Sequence, residues 1–377
     1  MILRFLLLSL LLISLNACGF SSQVQAQERI FPKLSVEFLD SYELPKQTYE
    51  KTPVGGLSGL TYDERKGLFY TISDDRSQYA PARFYTLKIN FEGTKIDKVT
   101  VQDVTFLRTE DGELFPSGEI DSEGIAFAPG NTLFISSEGD TSKNINPFVG
   151  RFDLETGKRK QTLPLPDRFL LPETEEEVPR GVRNNLGFES LTLNPSGVVS
   201  PDGDPFRVFT ATESSLSQDQ LPAESEEQTR VRFLHYVVNP IGQPLPIAEH
   251  LYLLDDSPFG TLAHGLTEVL AIKPEGYFLT LERSFGVSGY GAKLFLVAVG
   301  NATDTSGVDT FNVSLGGLQP LQKKLLFDFS ELDFDIYNLE GLAIGPRLED
   351  GSQSLLVISD DNFNVEEVTQ ILLFRLS

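Results

Sequence analysis

Apolar and polar residues alternate with period two through most of the chain. Leu34-Ser35-Val36-Glu37-Phe38-Leu39 and Val99-Thr100-Val101-Gln102-Asp103-Val104 send successive side chains to opposite faces, as half-buried strands do. Turn clusters such as Asp63-Glu64-Arg65-Lys66-Gly67 and Asn90-Phe91-Glu92-Gly93 separate the runs, and glycine and proline (31 and 22 residues) punctuate the rest. The pattern predicts an all-β chain without long helices.

One unit recurs. A short strand opens on an acidic or small polar residue, a turn follows, and an apolar strand ends in a carboxylate. The copies are Gly55-Gly56-Leu57-Ser58-Gly59-Leu60 with Tyr70-Thr71-Ile72-Ser73-Asp74-Asp75, and Asp121-Ser122-Glu123-Gly124-Ile125-Ala126 with Phe134-Ile135-Ser136-Ser137-Glu138. Gly187-Phe188-Glu189-Ser190-Leu191 with Phe209-Thr210-Ala211-Thr212-Glu213 is the third, and Leu266-Thr267-Glu268-Val269-Leu270 with Phe278-Leu279-Thr280-Leu281-Glu282 the fourth. Asn338-Leu339-Glu340-Gly341-Leu342 with Leu355-Leu356-Val357-Ile358-Ser359-Asp360 closes the series. Repeats 65 to 79 residues apart (58, 123, 189, 268, 340) predict a single β-propeller of five recognisable four-stranded blades. The spacing also admits a sixth, degenerate blade in the longer loops.

Two further strands follow each of the first four pairs: 83–89 and 99–104, 149–153 and about 161–163, 231–238 and 249–253, 293–299 and 324–329. Blade five ends with only 370–376. The strand at 34–39 is expected to supply its fourth member, closing the ring and covering an exposed edge.

The N-terminus adds a second organisation. Arg4 precedes an apolar run from Phe5 to Leu15, too short to span a membrane comfortably, which ends in Leu15-Asn16-Ala17-Cys18-Gly19. This resembles a bacterial lipobox. The expected division is a lipoprotein signal peptide (1–17), a flexible polar tether (18–32) and a propeller (33–377), with Cys18 as the lipidation site. No other stretch could cross a membrane, so contact with it is expected only through the lipid, and the protein is expected in the periplasm or cell envelope of a bacterium. Cys18 is the only cysteine, which excludes disulfides and thiol chemistry from the body. A net charge of −23 argues against nucleic acid and unassisted binding to anionic membranes. Oligomeric state is left open.

Candidate chemistry follows from the repeats. In a blade the start of the first strand and the end of the second reach the same rim. This groups Ser58 with Asp74, Glu123 with Glu138, Glu189 with Glu213, Glu268 with Glu282, and Glu340 with Asp360, nine carboxylates in ten positions. Two carboxylates about 4 Å apart repel by about 4 kcal/mol at an effective dielectric of about 20. A ring of them calls for protons, separation or hard cations, above all Ca²⁺ with its oxygen-rich shell. Glu123, Glu189 and Glu340 lead the ligand set because a small residue follows each, and Asn184, Asn185 and Asn338 could add neutral oxygens. Arg76, Arg183 and Arg283 lie near the rim, where guanidinium groups serve as ion-pair partners or as phosphate contacts. Arg83 and Arg232, each leading a third strand, read as ties between blades. His235, His250 and His264 lack zinc spacing, and only His264 comes near the rim. Ser58 sits in Gly56-Leu57-Ser58-Gly59 without the strand-turn-helix context of a nucleophile elbow, and no P-loop is present.

An ordered set of short motifs, each weak alone, carries a family resemblance. It comprises Gly55-Gly56-Leu57-Ser58-Gly59, Ser73-Asp74-Asp75-Arg76, Pro81-Ala82-Arg83-Phe84-Tyr85, Asp121-Ser122-Glu123-Gly124, Ser137-Glu138-Gly139, Arg183-Asn184-Asn185, Phe188-Glu189-Ser190-Leu191-Thr192, Thr212-Glu213 with Gln218-Asp219, and Leu281-Glu282-Arg283. Over about residues 50–365 it resembles the phytase-like family called "esterase-like activity of phytase". The resemblance implies a β-propeller and phosphate-ester hydrolysis, by analogy with propeller phytases whose rim calcium ions hold phosphate and activate water. A lysine-rich phosphate site is not apparent, and the calcium ligands of those enzymes do not map residue by residue onto this chain. The expected metal ligands are Glu123, Glu138, Glu189, Glu213, Glu340 and Asp360. Glu189, Arg183 and Arg283 are the expected catalytic groups, and Arg76, Arg183, Arg283 and His264 the contacts to a small phosphorylated substrate. A non-catalytic binding or scaffold propeller and a lactonase-type propeller hydrolase are the rival readings.

Overall fold

The computed structural model describes residues 30–174, 178–194, 204–222, 225, 227–258 and 260–377. Cys18 and the signal segment lie outside the described residues. The chain divides into Met1–Ser35 and Val36–Ser377. The second unit is the propeller.

It opens with β1 (Val36–Leu44) and a small hairpin, β2 (Gln47–Tyr49) and β3 (Thr52–Val54), which the sequence reading did not anticipate. Blade one is β4 (Leu57–Asp63), β5 (Leu68–Ser73), β6 (Arg83–Glu92) and β7 (Lys95–Phe106). Blade two is β8 (Ser122–Ala128), β9 (Thr132–Ser137), β10 (Phe148–Asp153) and β11 (Arg159–Thr162). Blade three is β12 (Phe188–Leu193), β13 (Phe206–Thr212), β14 (Arg230–Val238) and β15 (Leu245–Leu253). Blade four is β16 (Thr261–Ile272), β17 (Tyr277–Gly286), β18 (Gly289–Ala298) and β19 (Gln322–Asp328). Blade five is β20 (Asn338–Arg347), β21 (Gln353–Asp360), β22 (Thr369–Leu376) and, on its outer edge, β1.

Five antiparallel four-stranded sheets thus form a β-propeller, as the repeat predicts. The first strands meet in a closed ring: β4 touches β8, β8 touches β12, β12 touches β16, β16 touches β20, and β20 returns to β4. The ends of the chain close it, with Val36 opposite Leu376 and Leu44 opposite Thr369.

Alternation explains the packing. Along β7 the inward Ile96, Val99, Val101 and Val104 are buried while Lys95, Asp97, Lys98, Gln102 and Asp103 are exposed. Inward faces fill the wedges between blades. Leu60, Phe69, Leu356 and Ile371 lie between blades five and one, Phe84, Ile125, Leu133 and Phe152 between one and two, Phe134, Phe188 and Leu191 between two and three, and Phe233, Leu266 and Phe278 between three and four. Phe38, Phe327, Phe329 and Phe374 interlock edge to face at the last wedge.

Both arginines expected to tie blades are buried, and one of them makes such a tie. Arg232 bonds Asp219 at 2.6 Å, Glu249, and the carbonyls of Val308 and Asp309 in the blade-four loop, so it joins blades three and four. Arg83 instead holds Asp75, Tyr85 and the Pro53 carbonyl, tying blade one to the β2–β3 hairpin rather than to another blade.

Candidate functional site

Every first strand carries a bulge near its start, and the bulge defines the site. Pairing with the second strand skips Ser58 in blade one, Glu123 and Gly124 in blade two, Glu189 in blade three, Thr267 in blade four and Glu340 in blade five. A bulged residue is left out of the ladder, and its side chain is re-aimed. The residue after the bulge meets the neighbouring blade. A Cβ on Gly59 would stand 2.7 Å from the Glu123 carbonyl oxygen, and one on Gly124 would stand 2.6 Å from that of Glu189. Glycine permits that approach in blades one, two and five, whereas blades three and four place Ser190 and Glu268 at the same position.

Two residues before each bulge, the chain faces the end of the second strand. Asp74 N–H donates to Gly56, Glu138 N–H to Asp121 and Glu213 N–H to Gly187, while Gly265 pairs with Arg283 and Asn338 with Asp360. The ten equivalent positions are therefore Ser58, Glu123, Glu189, Thr267, Glu340, Asp74, Glu138, Glu213, Arg283 and Asp360.

This corrects the grouping in blade four, where the carboxylates sit one residue out of register. Glu268 is buried and turned into the ring of first strands, where its Oε1 accepts from Leu191 N–H at 3.1 Å and Val269 N–H at 2.9 Å. Glu282 accepts from Tyr252, Lys323 and the Asp255 N–H. Neither belongs to the ring. Seven of the ten positions are carboxylates, and Arg283 stands where the other blades place an acid.

The acids gather in two trios. Asp74, Asp121 and Glu123 form one, and Glu138, Glu189 and Glu213 the other, with one oxygen from each member within 4.8 Å of the others. Glu123 thus belongs with Asp74 and Asp121 rather than with Glu138. Asp121 is not among the acids that the repeats pick out, although its i, i+2 spacing from Glu123 places both at one end of β8. Glu340 and Asp360 join neither trio: Glu340 Oε1 accepts from Asn338 Nδ2 at 2.7 Å, and Asp360 Oδ1 from Asn362 N–H at 2.7 Å.

The arginines sit among these acids. Arg76 Nε lies 2.5 Å from Asp121 Oδ1 and 4.0 Å from Asp74, and its side chain also reaches Asn185. Arg76 and Ser77 take left-handed backbone (φ 49° and 56°), a conformation uncommon outside glycine that redirects the chain just after Asp74. Arg283 Nη2 lies 3.4 Å from Glu213 and 3.2 Å from Glu340. Arg183 forms no ion pair among the described residues. Its Nε donates to the Ser215 carbonyl and its Nη2 to Ser214 Oγ, both at 2.9 Å. His264 has its nitrogens beside Ser257 and Glu282. Of the neutral candidates, Asn338 reaches the ring, Asn185 meets Arg76, and Asn184 bonds Thr141 at the surface.

Electrostatics sets the chemistry. Asp74, Asp121, Glu123, Glu138, Glu189, Glu213, Glu340 and Asp360 face three guanidinium groups, and all but Asp74 are buried. Desolvation, then neighbouring like charges, pushes Glu123, Glu138, Glu189 and Asp360 well above the usual carboxylate range. Asp121 rises to about 8 through burial and Asp74, and Glu340 to about 7 through burial, partly offset by Arg283. Glu138 Oε1 accepts from Gly187 N–H, whereas Glu138 Oε2 and Asp121 Oδ2 are buried with no hydrogen-bond partner among the described residues. A buried carboxylate oxygen without a donor is costly unless protonated or bound to a cation. Both trios hold such an oxygen, and their all-oxygen donor set suits a hard divalent cation.

Residues 52–363 match the phytase-like family, described as esterase-like activity of phytase. No curated protein matches the chain. Among solved structures it is similar to a Parabacteroides distasonis protein, at 12% identity over 88% of this chain and 92% of that one, with a TM-score of 0.45. It is also similar to an endo-arabinase from Bacteroides thetaiotaomicron, at 11% identity over 86% and 96%, with a TM-score of 0.39. At such values these two likenesses bear on neither activity nor ligand.

Proposed function

The chain belongs to the phytase-like family, and we propose that it hydrolyses phosphate esters at the acidic rim with the help of Ca²⁺. The observation that carries this reading is the pair of buried acidic trios, each with an oxygen that lacks a donor. Asp74, Asp121 and Glu123 would hold one ion and Glu138, Glu189 and Glu213 another, with Glu340 and Asp360 beside them. Bound there, calcium would neutralise the acids and polarise a phosphate oxygen and a water. Arg183 is the best-placed phosphate contact, because its guanidinium is held by Ser214 and Ser215 and not by an acid. Arg76 and Arg283 fix the acids around them and could turn part of their forks to the same phosphate. Glu189, at the bulge of β12, would orient the attacking water beside the ion and accept its proton.

The same reading makes the protein a lipid-anchored one outside the cytoplasm, attached through Cys18. Hydrolysis of 4-nitrophenyl phosphate by residues 25–377, measured with and without millimolar Ca²⁺, tests the activity. We expect turnover that requires calcium and that Glu189→Gln removes together with calcium binding. Activity unchanged by that substitution sinks the assignment.

A non-catalytic binding propeller is the second reading, favoured by the ion pairs that already engage Arg76 and Arg283. Calcium binding without hydrolysis of any phosphate ester or lactone would select it.

A further inference from the structure

Outside the carboxylate ring, one hydroxyl stands against a base. Ser257, in the exposed segment between β15 and β16, has its Oγ 2.9 Å from His264 Nδ1. The other ring nitrogen, Nε2, lies 3.6 Å from Glu282 Oε2. Glu282 is anchored in turn: Asp255 N–H donates to Oε2 at 2.7 Å, and Tyr252 and Lys323 donate to Oε1 at 2.5 Å. The strand register makes this meeting structural. His264 pairs with Ser284 and Leu266 with Glu282, so His264 and Glu282 are diagonal neighbours on one face of β16 and β17.

The order of groups is chemically informative. A fixed carboxylate near Nε2 favours the tautomer that carries its proton there, which leaves the Nδ1 lone pair toward Ser257. Serine, imidazole and orienting carboxylate in that sequence activate serine hydroxyls on unrelated folds. At 3.6 Å the imidazole–carboxylate contact is longer than a hydrogen bond, and such contacts commonly tighten when a ligand binds.

We propose that Ser257, His264 and Glu282 form a second site, which cleaves neutral carboxylic esters with an apolar acyl group. Ser257 Oγ attacks the carbonyl carbon as its proton passes to His264 Nδ1. The bond from that carbon to the alcohol oxygen breaks, and the leaving alkoxide takes the proton. Water, deprotonated by the same nitrogen, then attacks the acyl-serine; the free carboxylic acid departs and the proton returns to Ser257. Glu282 acts as a positioning residue. The substrate class follows from the surroundings. Leu262 and Val287 are 76% and 80% exposed, and Val287 N–H bonds the carbonyl of Gly260, three residues after Ser257, at 3.3 Å, which sets Val287 beside the serine segment. Asp255 and Glu282 are each paired with a lysine, Lys293 and Lys323, at 2.5 Å, and Asp256 lies beside them, so the surroundings offer no excess of positive charge to a phosphate dianion and suit a neutral ester.

General-base assistance of this kind contributes about 10²- to 10⁴-fold. The full chain, solubilised in non-ionic detergent, is assayed with 4-nitrophenyl butyrate and labelled with a fluorophosphonate probe read by peptide mass spectrometry. We expect one adduct, on Ser257, and a fall of about 10²-fold or more in butyrate hydrolysis in Ser257→Ala, with unchanged Tm and calcium affinity. Glu282→Gln should lower kcat with little change in KM, and because that side chain also holds Lys323, the Ser257 variant decides if it fails to fold. No adduct on Ser257, or butyrate hydrolysis at the parental rate in Ser257→Ala, overturns the proposal. Both outcomes are independent of whether the rim cleaves phosphate esters.

Discussion

Arg283 Nη2 lies 3.2 Å from Glu340 Oε1, a part-buried contact between the second strand of blade four and the first strand of blade five. The same nitrogen is 3.4 Å from Glu213 in blade three. Blade four thus gives the acidic ring a cation at the position where its four sister blades give an anion. Removing one partner of a buried pair costs about 3–5 kcal/mol, because the other charge stays behind. Arg283 is part-exposed and Glu340, raised to about 7, can take up a proton, so Arg283→Gln should destabilise the propeller by less than that amount in urea unfolding without divalent ions. Added calcium should recover part of the loss. A variant as stable as the parent would show that Glu213 and Glu340 do not depend on the guanidinium.

Glu268 separates a structural from a functional acid. Its carboxylate accepts amide donors from its own strand and from β12 of the preceding blade, so Glu268→Ala should cost about 1–3 kcal/mol for each amide left without an acceptor. Calcium affinity in that variant should stay within about twofold, a shift well under one 1.4 kcal/mol decade. A large loss of calcium binding would return Glu268 to the ring.

The contrast between these residues shows what the chain made legible. Five repeats, their strand pairs, and closure by the N-terminal strand all follow from period-two alternation and spacing, because each blade must bury one face against the next. Blade four misled the alignment. Its Leu266-Thr267-Glu268 and Leu281-Glu282-Arg283 place carboxylates one residue from the ring, and a one-residue shift in a strand exchanges its faces. The bulge that fixes the register has no marker there, since Glu268 stands where blades one, two and five have glycine. The split of the acids into trios was equally hidden. Asp121 reaches the ring by facing Glu138 across the strand pair, a relation that only the register reveals.

His235 makes a prediction about pH that is independent of the rim. It stacks on Phe209 with ring centroids 4.3 Å apart, and burial, followed by the Arg207 charge, lowers its pKa from 6.5 to about 4. The folded state holds it neutral, while an unfolded chain takes up a proton near pH 6.5. Its contribution is therefore complete above about pH 6.5 and is lost as pH falls toward 4. Because the buried acids titrate in the opposite sense, the signal is the difference: relative to the parent, His235→Phe should gain Tm as pH falls through that window. Identical profiles would remove His235 as the cause.

Cys18 lies outside the described residues, and its lipidation is a proposal drawn from the sequence. Radiolabelled palmitate should enter the protein in bacterial cells, and Cys18→Ala should abolish the label and release the protein from the membrane fraction. Labelling that persists in the variant would contradict the anchor.

The most direct test of the acidic rim is calcium calorimetry on residues 25–377 near pH 7, in two buffers of different ionisation enthalpy. Asp121, raised to about 8, holds a proton there that a cation in its trio must displace. The account predicts saturable binding, net proton release seen as a buffer-dependent heat, and a higher Tm, all diminished by Glu189→Gln. No binding, with unchanged melting in millimolar calcium, would contradict a metal site and remove the basis for calcium-assisted phosphate-ester hydrolysis.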